Sequence, residues 1–296
     1  MTDAYTITCC STADMPASYM EEHAIPYACF HFRLNGKEYA DDLGASIPFE
    51  EFYRQIDEGA MPTTAQINPE EYEALFLPIL KEGRDICHLT LSSGISGSIN
   101  SARIAAANLM EEYPERKIIV IDSLCASVGY GLLVDTALTL QKEGMDLDTL
   151  ADWLIKNRTK LHHWFTTSDL THLRRGGRVS ASAAFFGNML GICPIMQVSR
   201  TGTLIPQDKC RGSKKALREL KDRMVRYAQD GPAYKGKCFI GHSARPQEAQ
   251  YLAGLIEEAF PQLAGKILIT SIGTVIGSHT GPGTVVAAFW GGEREA

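Results

Sequence analysis

Short apolar runs alternate with longer segments of helical spacing along most of the chain. The runs predict strands at 5–10, 25–32, 86–91, 117–122, 162–168, 193–199, 237–242, 266–271 and 284–290. Apolar residues recur at helical spacing in 69–83, 101–113, 131–144, 147–159, 213–229 and 245–260. Such alternation of strand and helix predicts an α/β fold whose sheets are largely parallel or mixed and flanked by helices.

Several element boundaries carry residues that start or stop helices. Asn68 followed by Pro69 is typical of a helix N-terminus, and Glu-Gly pairs at 82–83 and 143–144 are typical of helix ends. Ser11 or Thr12 is expected to cap a short helix after the first strand. Pro78 is expected to bend the helix in which it lies.

The chain divides most naturally near Lys160, where a new series of strands and helices begins. We predict an N-terminal α/β domain at 1–160 and a C-terminal α/β domain at 161–296, with the ligand site at their junction and the possibility that the chain crosses between them. No repeat of fixed period and no low-complexity linker interrupts this organisation.

Composition narrows the classes of partner. The 296 residues are 45% hydrophobic and carry a formal net charge of -6, which gives no electrostatic reason to expect nucleic acid or an anionic membrane as the partner. No apolar run approaches the ~18 to 20 residues that span a bilayer, and the first residues do not resemble a secretory signal. We therefore expect a cytoplasmic protein without an integral membrane segment.

The eight cysteines form no C-x-x-C pair and no spacing with histidine that would complete a zinc site. Cys87, Cys193 and Cys238 lie in apolar runs, where a thiol usually behaves as a small core side chain. We expect reduced thiols, no metal ligands and no cofactor.

The segment LSSGISGSINSA, at 91–102, places serines and glycines between a predicted strand and a predicted helix. Amides at a helix N-terminus attract anions, and Gly94 and Gly97 allow close approach of a ligand to the backbone. The segment lacks the lysine of a Walker A loop, the G-x-G-x-x-G fingerprint and the G-x-S-x-G elbow. Neutral donors of this kind favour a carboxylate, although the serines could simply cap the helix.

Three further segments carry candidate binding residues. Thr63 and Thr64 precede a helix start, Arg174, Arg175 and Arg178 surround a double glycine, and His279 lies in a predicted glycine-rich loop before a buried strand. Each has a purely structural alternative, respectively helix capping, surface ion pairing and a hydrogen-bonded structural histidine.

Taken in order, six segments resemble the signature segments of the DegV family, the bacterial fatty-acid-binding proteins of the FakB type. The segments are STADMP, MPTTAQ, LSSGISGSINSA, VIDSLCASVGYG, DLTHLRRGGRVS and GSHTGPGT, and the resemblance extends from Tyr5 to about Trp290. It implies two α/β domains that hold a long-chain fatty acid, with the carboxylate fixed by the loops and the tail in an apolar tunnel.

The resemblance also implies roles for individual residues. Thr64 and Ser93 match the family's carboxylate-binding threonine and serine, with Ser92 and the Gly94 amide beside them. Arg178, His279 and Thr280 match polar positions near the head group or near a partner kinase. The apolar segment 183–196 offers candidates for the tunnel lining, although it could equally be a core helix: Phe185, Phe186, Met189, Leu190 and Ile192.

Two positions depart from the family pattern. Cys10 stands where the family usually has an aspartate, which removes a buried charge, and Ala65-Gln66-Ile67 replaces the Ser-Gln-Pro that usually follows the threonine. These changes bear on head-group geometry and on the preferred lipid. The resemblance further implies that the lipid is presented to a separate ATP-dependent fatty acid kinase, so that the chain itself is a carrier and not an enzyme.

Two other functions use the same serine loop. A serine acyl-hydrolase would take Ser93 as nucleophile and His279 as base, with Asp122 or Asp169 as the third member. A protein that binds a small polar anion would use only the helix N-terminus.

Overall fold

The computed structural model describes residues 5–168, 170–179 and 191–295. Its strands are β1 (Tyr5–Cys10), β2 (Tyr27–Ala28), β3 (His31–Leu34), β4 (Lys37–Ala40), β5 (Thr63–Ala65), β6 (Asp85–Thr90), β7 (Ile118–Asp122), β8 (Leu161–Thr166), β9 (Ile192–Val198), β10 (Leu204–Arg211), β11 (Cys238–His242), β12 (Leu268–Ser271) and β13 (Val285–Trp290). The α-helices are α1 (Ala17–Glu22), α2 (Phe49–Asp57), α3 (Pro69–Lys81), α4 (Ser98–Glu112), α5 (Ser127–Lys142), α6 (Leu147–Asn157), α7 (Thr171–Arg175), α8 (Ser213–Tyr227), α9 (Pro246–Ala259) and α10 (Thr274–Thr280).

The strands form three sheets. A four-stranded sheet has the order β2-β1-β6-β7, and its neighbours are all parallel. A six-stranded sheet has the order β10-β9-β8-β13-β11-β12, in which β11 and β12 are parallel and the other neighbours are antiparallel. The strands β4, β3 and β5 form an antiparallel sheet. The predicted α/β fold with parallel and mixed sheets is confirmed.

Local sequence signals explain several helix boundaries. The Asn68 side chain accepts a hydrogen bond from the Glu71 amide while the Glu71 carboxylate accepts one from the Asn68 amide, which is a complete capping box. Gly83 and Gly144 have positive φ values of 76° and 93°, as helix-terminating glycines do. The α3 helix continues through Pro78 to Lys81.

Some elements differ from the prediction. The single strand expected at 25–32 is divided into β2 and β3, and β4, β5 and β10 were not predicted. Ser11 does not cap a helix; it opens a short 3-10 turn with Cys10 at the N-cap position, and its hydroxyl accepts a hydrogen bond from the Phe30 amide at 3.2 Å. The polar loop beyond β1 is thus tied to the segment that precedes β3.

The α5 helix lies between the two larger sheets. It packs against β1 of the four-stranded sheet and against β8, β11 and β13 of the six-stranded sheet. The main hydrophobic core therefore contains residues from both sides of Lys160. A second core fills the space between the six-stranded sheet and the helices α8 and α9. The division of the chain into domains at residue 160 stays a prediction.

The short α10 helix leaves the six-stranded sheet and reaches elements from the beginning of the chain. It packs against α2, α7, β3 and β5. This packing brings α10 and β5 together in the wall of one cavity. Within the described ranges, no helix combines the length and the apolar character needed to cross a bilayer.

Candidate functional site

A cavity of about 260 Å³ lies where α10, β5, the β6–α4 loop and the inner face of β8 and β13 meet. Its wall is mostly apolar, and side chains from distant parts of the chain form it. The larger apolar side chains of the wall are Phe30, Leu91, Ile95, Phe165, Leu173, Val198, Leu204, Ile272, Val275, Ile276 and Val286.

Polar side chains also line the cavity, and we call five of them the polar cluster: Thr64, Gln66, Ser96, Arg178 and His279. The Thr64 hydroxyl lies 2.8 Å from Nε2 of His279, which joins β5 to α10. Ser96 belongs to the loop before α4, and its hydroxyl accepts a hydrogen bond from the Ser98 amide at 3.3 Å. The cluster therefore provides hydroxyl, amide and imidazole groups at one apolar cavity.

Strand pairing places Thr64 in the wall. β5 pairs with β3, and Thr64 lies opposite Phe32, a buried residue of that strand. The preceding residue, Thr63, lies opposite Arg33 and is exposed. Because neighbouring side chains of a strand point to opposite faces, the two threonines differ in environment although they are adjacent in sequence.

His279 lies in α10, not in the loop that the sequence predicted. Burial lowers the pKa of its imidazole to about 4, and the nearby charges of Arg178 and Arg175 act in the same direction. The ring is therefore neutral near pH 7. A β-carbon on Gly176 would lie 2.2 Å from Nδ1 of the ring, so only glycine at this position leaves room for the imidazole.

Arg178 connects two loops at the edge of the cavity. Its Nε donates to the Ile95 carbonyl at 3.1 Å and its Nη1 donates to the Gly176 carbonyl at 2.5 Å. These bonds hold the loop that contains Ser96 close to the turn that packs against His279. Thr280, which follows His279 in α10, also lines the cavity.

The structure does not bring the other predicted head-group residues to the cavity wall. The Ser92 hydroxyl is buried and donates to the Gly202 carbonyl at 2.9 Å. Ser93 is exposed, and its amide donates to the Asp122 carboxylate. A β-carbon on Gly94 would lie 2.6 Å from the Gly202 backbone, so this glycine permits close contact with a neighbouring turn.

Most of the predicted tail-lining residues cannot be placed. Phe185, Phe186, Met189 and Leu190 lie outside the described residues, as does Asp169. Ile192 is the first residue of β9, lies opposite Arg211 and is not one of the residues that line the cavity.

Sequence reasoning missed Ser96 and Gln66 as wall residues. Ser96 precedes Gly97 in the same serine-rich loop as Ser92 and Ser93, and it lines the cavity, whereas the carboxylate-binding role of Ser92 and Ser93 stays a prediction. A β-carbon on Gly97 would lie 3.0 Å from Oε1 of Gln66, which shows that the amide packs closely over this glycine. Both residues lie in segments that the sequence analysis had already identified, Ser96 in LSSGISGSINSA and Gln66 in MPTTAQ.

Cys10, which stands where the DegV family usually has an aspartate, lies in a buried polar network. The Cys10 thiol lies 3.4 Å from the Tyr72 hydroxyl and 3.8 Å from Nε2 of His88, and burial raises its pKa to about 11. Tyr72 in turn lies 2.6 Å from the Ser98 hydroxyl at the start of α4. The thiol is therefore uncharged. Through Tyr72 it is linked to Ser98, the first residue of α4, which follows the loop that contains Ser96.

The two ring nitrogens of His279 differ in their contacts. In the part of the chain that the structure describes, Nδ1 of His279 has no hydrogen-bond partner and Nε2 contacts Thr64, so no carboxylate orients the ring. A catalytic histidine requires such an orienting group and a contact with its nucleophile. Neutral donors beside an apolar cavity fit a ligand with one polar end and a long apolar part.

Comparisons with known proteins agree with this chemistry. Residues 5–290 match the family model described as "Uncharacterised protein, DegV family". A DegV domain-containing protein of Clostridium perfringens is 37% identical over 289 residues, which cover 96% of this chain and 97% of that protein.

Two solved structures are similar over almost their whole length. A DegV lipid-binding protein from Thermotoga maritima has a TM-score of 0.85 at 27% identity, with 98% of this chain and 99% of that chain covered. A DegV family protein from Thermus thermophilus, described for its fatty acid binding, has a TM-score of 0.84 at 28% identity, with 97% and 99% covered. The family match and the relatives together establish that this chain belongs to the DegV family.

Proposed function

We propose that this protein binds a long-chain fatty acid, with its tail in the apolar cavity and its carboxylate at the polar cluster. The observation that carries the proposal is the Thr64–His279 pair, a neutral hydrogen-bonding group in the wall of a mostly apolar cavity. The lipid and fatty acid binding of the Thermotoga and Thermus proteins supports the same ligand class.

The two ends of the ligand contribute differently to binding. Burial of ~15 methylenes at about 0.8 kcal/mol each gives a gross gain of ~12 kcal/mol, which tail ordering and lost rigid-body freedom reduce. A buried carboxylate without partners would cost several kcal/mol. Hydrogen bonds from Thr64, Ser96 and His279 offset this cost and fix the position of the tail in the cavity.

The proposal predicts that Thr64→Val weakens fatty acid binding about tenfold or more, because one hydrogen bond to a charged group is lost at nearly constant side-chain volume. Displacement of a fluorescent fatty acid from the lipid-free protein measures the affinity. Thr63→Val is the matched control, since Thr63 is exposed on the opposite face of β5, and it should leave the affinity unchanged. Equal affinities for both variants would contradict a carboxylate contact at Thr64.

We propose further that the protein is a carrier that presents the bound carboxylate to a separate ATP-dependent fatty acid kinase. The polar cluster reaches the surface, since Gln66 is exposed and Ser96 is partly exposed, and the exposed Arg174 and Arg175 lie on the neighbouring α7. A carboxylate held there is accessible to a phosphate donor bound by another protein.

The carrier role predicts that acyl phosphate forms only when lipid-loaded protein, kinase and ATP are combined. Mass spectrometry of the loaded protein should then show the addition of a phosphoryl group, and the protein with ATP alone should show none. Acyl phosphate formed from protein and ATP without kinase would contradict a carrier role.

A further inference from the structure

A second, smaller pocket of about 200 Å³ lies on the other face of the six-stranded sheet. Along β8, His163 and Phe165 point to the fatty acid cavity, whereas Trp164 packs in the core under α8 and α9, and Thr166 lines the second pocket. The strands β8, β10 and β11 run in the same direction, so their carboxyl ends meet at one edge of the sheet. Ligands of α/β proteins commonly bind at such an edge.

Two long helices begin at this pocket. The α8 helix has 15 residues and starts at Ser213, which lines the pocket, and its first turn contains Lys214 and Lys215 with no acidic residue. The α9 helix has 14 residues and follows Arg245, which also lines the pocket. The first amides of a helix have no partner within the helix and carry partial positive charge, so the start of α8 favours an anion. The first turn of α9 already contains Glu248, and the N-cap position of α9 contributes Arg245 to the pocket.

A buried hydroxyl provides an independent indication of a ligand. Thr166 is 4% exposed, lines this pocket, and its Oγ1 has no hydrogen-bond partner among the described residues. A buried polar atom without a partner requires an explanation, because leaving it unpaired is unfavourable. A ligand oxygen in the pocket would supply the missing partner.

The charges around the pocket are compatible with an anion. The carboxylate of Glu248 also lines the pocket, but its oxygen lies 3.9 Å from Nε of Arg245, at the limit of an ion pair. The Arg245 side chain remains 42% exposed, and its Nη1 donates to the Ala244 carbonyl at 3.3 Å. The guanidinium can therefore turn toward a ligand while Glu248 keeps it at the pocket.

We propose that this pocket is a binding site for a tetrahedral oxyanion of the phosphate class, held by Thr166, Ser213, the first amides of α8 and Arg245. The site is separate from the fatty acid cavity, but one loop borders both. Gly283 and Ser168 line the pocket, and Ser168 donates to the Pro282 carbonyl at 3.2 Å. Thr284 of the same loop and Thr280, the last residue of α10, line the cavity. Anion binding at this pocket does not depend on the proposed fatty acid ligand.

The test is a titration of the isotope-labelled protein with inorganic phosphate at constant ionic strength, followed by NMR of the backbone amides. Saturable shifts are expected at Thr166 and at Ser213–Lys215, with no such shifts in sodium chloride. Thr166→Val and Arg245→Gln should each raise the dissociation constant about tenfold, as expected for a lost hydrogen bond to a charged group.

Two further variants complete the experiment. Thr166→Ser keeps the hydroxyl and should retain binding, and Arg218→Gln removes an exposed charge of α8 outside the pocket and should change the dissociation constant less than about twofold. Thermal unfolding of each variant verifies the fold. Shifts that do not saturate, or equal weakening by Arg218→Gln and Arg245→Gln, would show only general charge screening and would overturn the proposal.

Discussion

At the scale of single residues, the buried imidazole of His279 makes the stability of the protein depend on pH. Its imidazole is neutral in the folded protein, because burial and two arginines lower its pKa to about 4. In the unfolded chain the same group takes up a proton below about pH 6.5. Unfolding therefore takes up a proton between pH 6.5 and 4, and the free energy of unfolding contributed by this group falls as the pH falls through that window.

The loss of stability at low pH should therefore differ between the wild-type protein and the His279→Gln variant. Between pH 7 and pH 4, lipid-free wild-type protein should lose at most about 3 kcal/mol more stability than His279→Gln, in urea unfolding at each pH. Other buried histidines, such as His88 and His163, are common to both proteins and cancel in the difference. Parallel pH profiles for the two proteins would show that His279 is not held neutral.

The serine loop shows what the sequence could reveal at this scale. The segment 91–102 was recognised as a polar loop before a helix, and Ser96 of that loop lines the cavity. Which hydroxyl faces the cavity depends on the path of the loop. That path is set by the contact of Ser92 and Gly94 with the Gly202 turn, more than 100 residues away in sequence. Local patterns contain no information about such a contact.

At the scale of elements, the position of α10 depends on two acidic residues from the start of the chain. Asp14 accepts a hydrogen bond from the Gly273 amide at 2.9 Å. Asp41 accepts hydrogen bonds from the Thr274 amide at 3.1 Å and from the Thr274 hydroxyl at 2.6 Å. Burial raises the pKa of both carboxyl groups. These bonds attach the helix that carries His279 to the loops after β1 and β4.

Asp41→Ala is therefore expected to loosen α10 and to lower stability by about 1–3 kcal/mol, because buried donors lose a partner. Hydrogen exchange should increase most at residues 274–280, and urea unfolding gives the change in stability. Asp57→Ala, an exposed acidic residue at the end of α2, is the control and should change stability by less than about 0.5 kcal/mol. Unchanged exchange in α10 would contradict the anchoring role of Asp41.

The elements that sequence reasoning missed have specific physical reasons. The β3–β4 hairpin turns at Asn35 and Gly36, both with positive φ, and this Asn-Gly pair is a recognisable hairpin signal that was overlooked. β10 is different, because it is an edge strand with an irregular register at Pro206 and several charged residues. Edge strands tolerate such residues, so their sequences lack the apolar alternation by which buried strands are recognised.

At the scale of the whole molecule, the α/β class and most buried strands followed from the pattern of apolar residues. The cavity did not, because its wall combines Phe30, Ile95, Phe165 and Ile272 from distant parts of the chain. Only the order of the motif segments, through the family resemblance, indicated that these parts form one site. Local patterns had already indicated Thr64, Arg178 and His279, and these three residues line the cavity together with Thr280.

Native mass spectrometry of the protein purified without added lipid tests the central claim most directly. We predict a mass increment that corresponds to one long-chain monocarboxylic acid per chain, released on denaturation and identified in the extract. After delipidation, an added C16 or C18 acid, whose tail has the ~15 methylenes assumed above, should restore a complex of one lipid per chain. Protein that carries no lipid when purified and binds no added fatty acid would contradict the account.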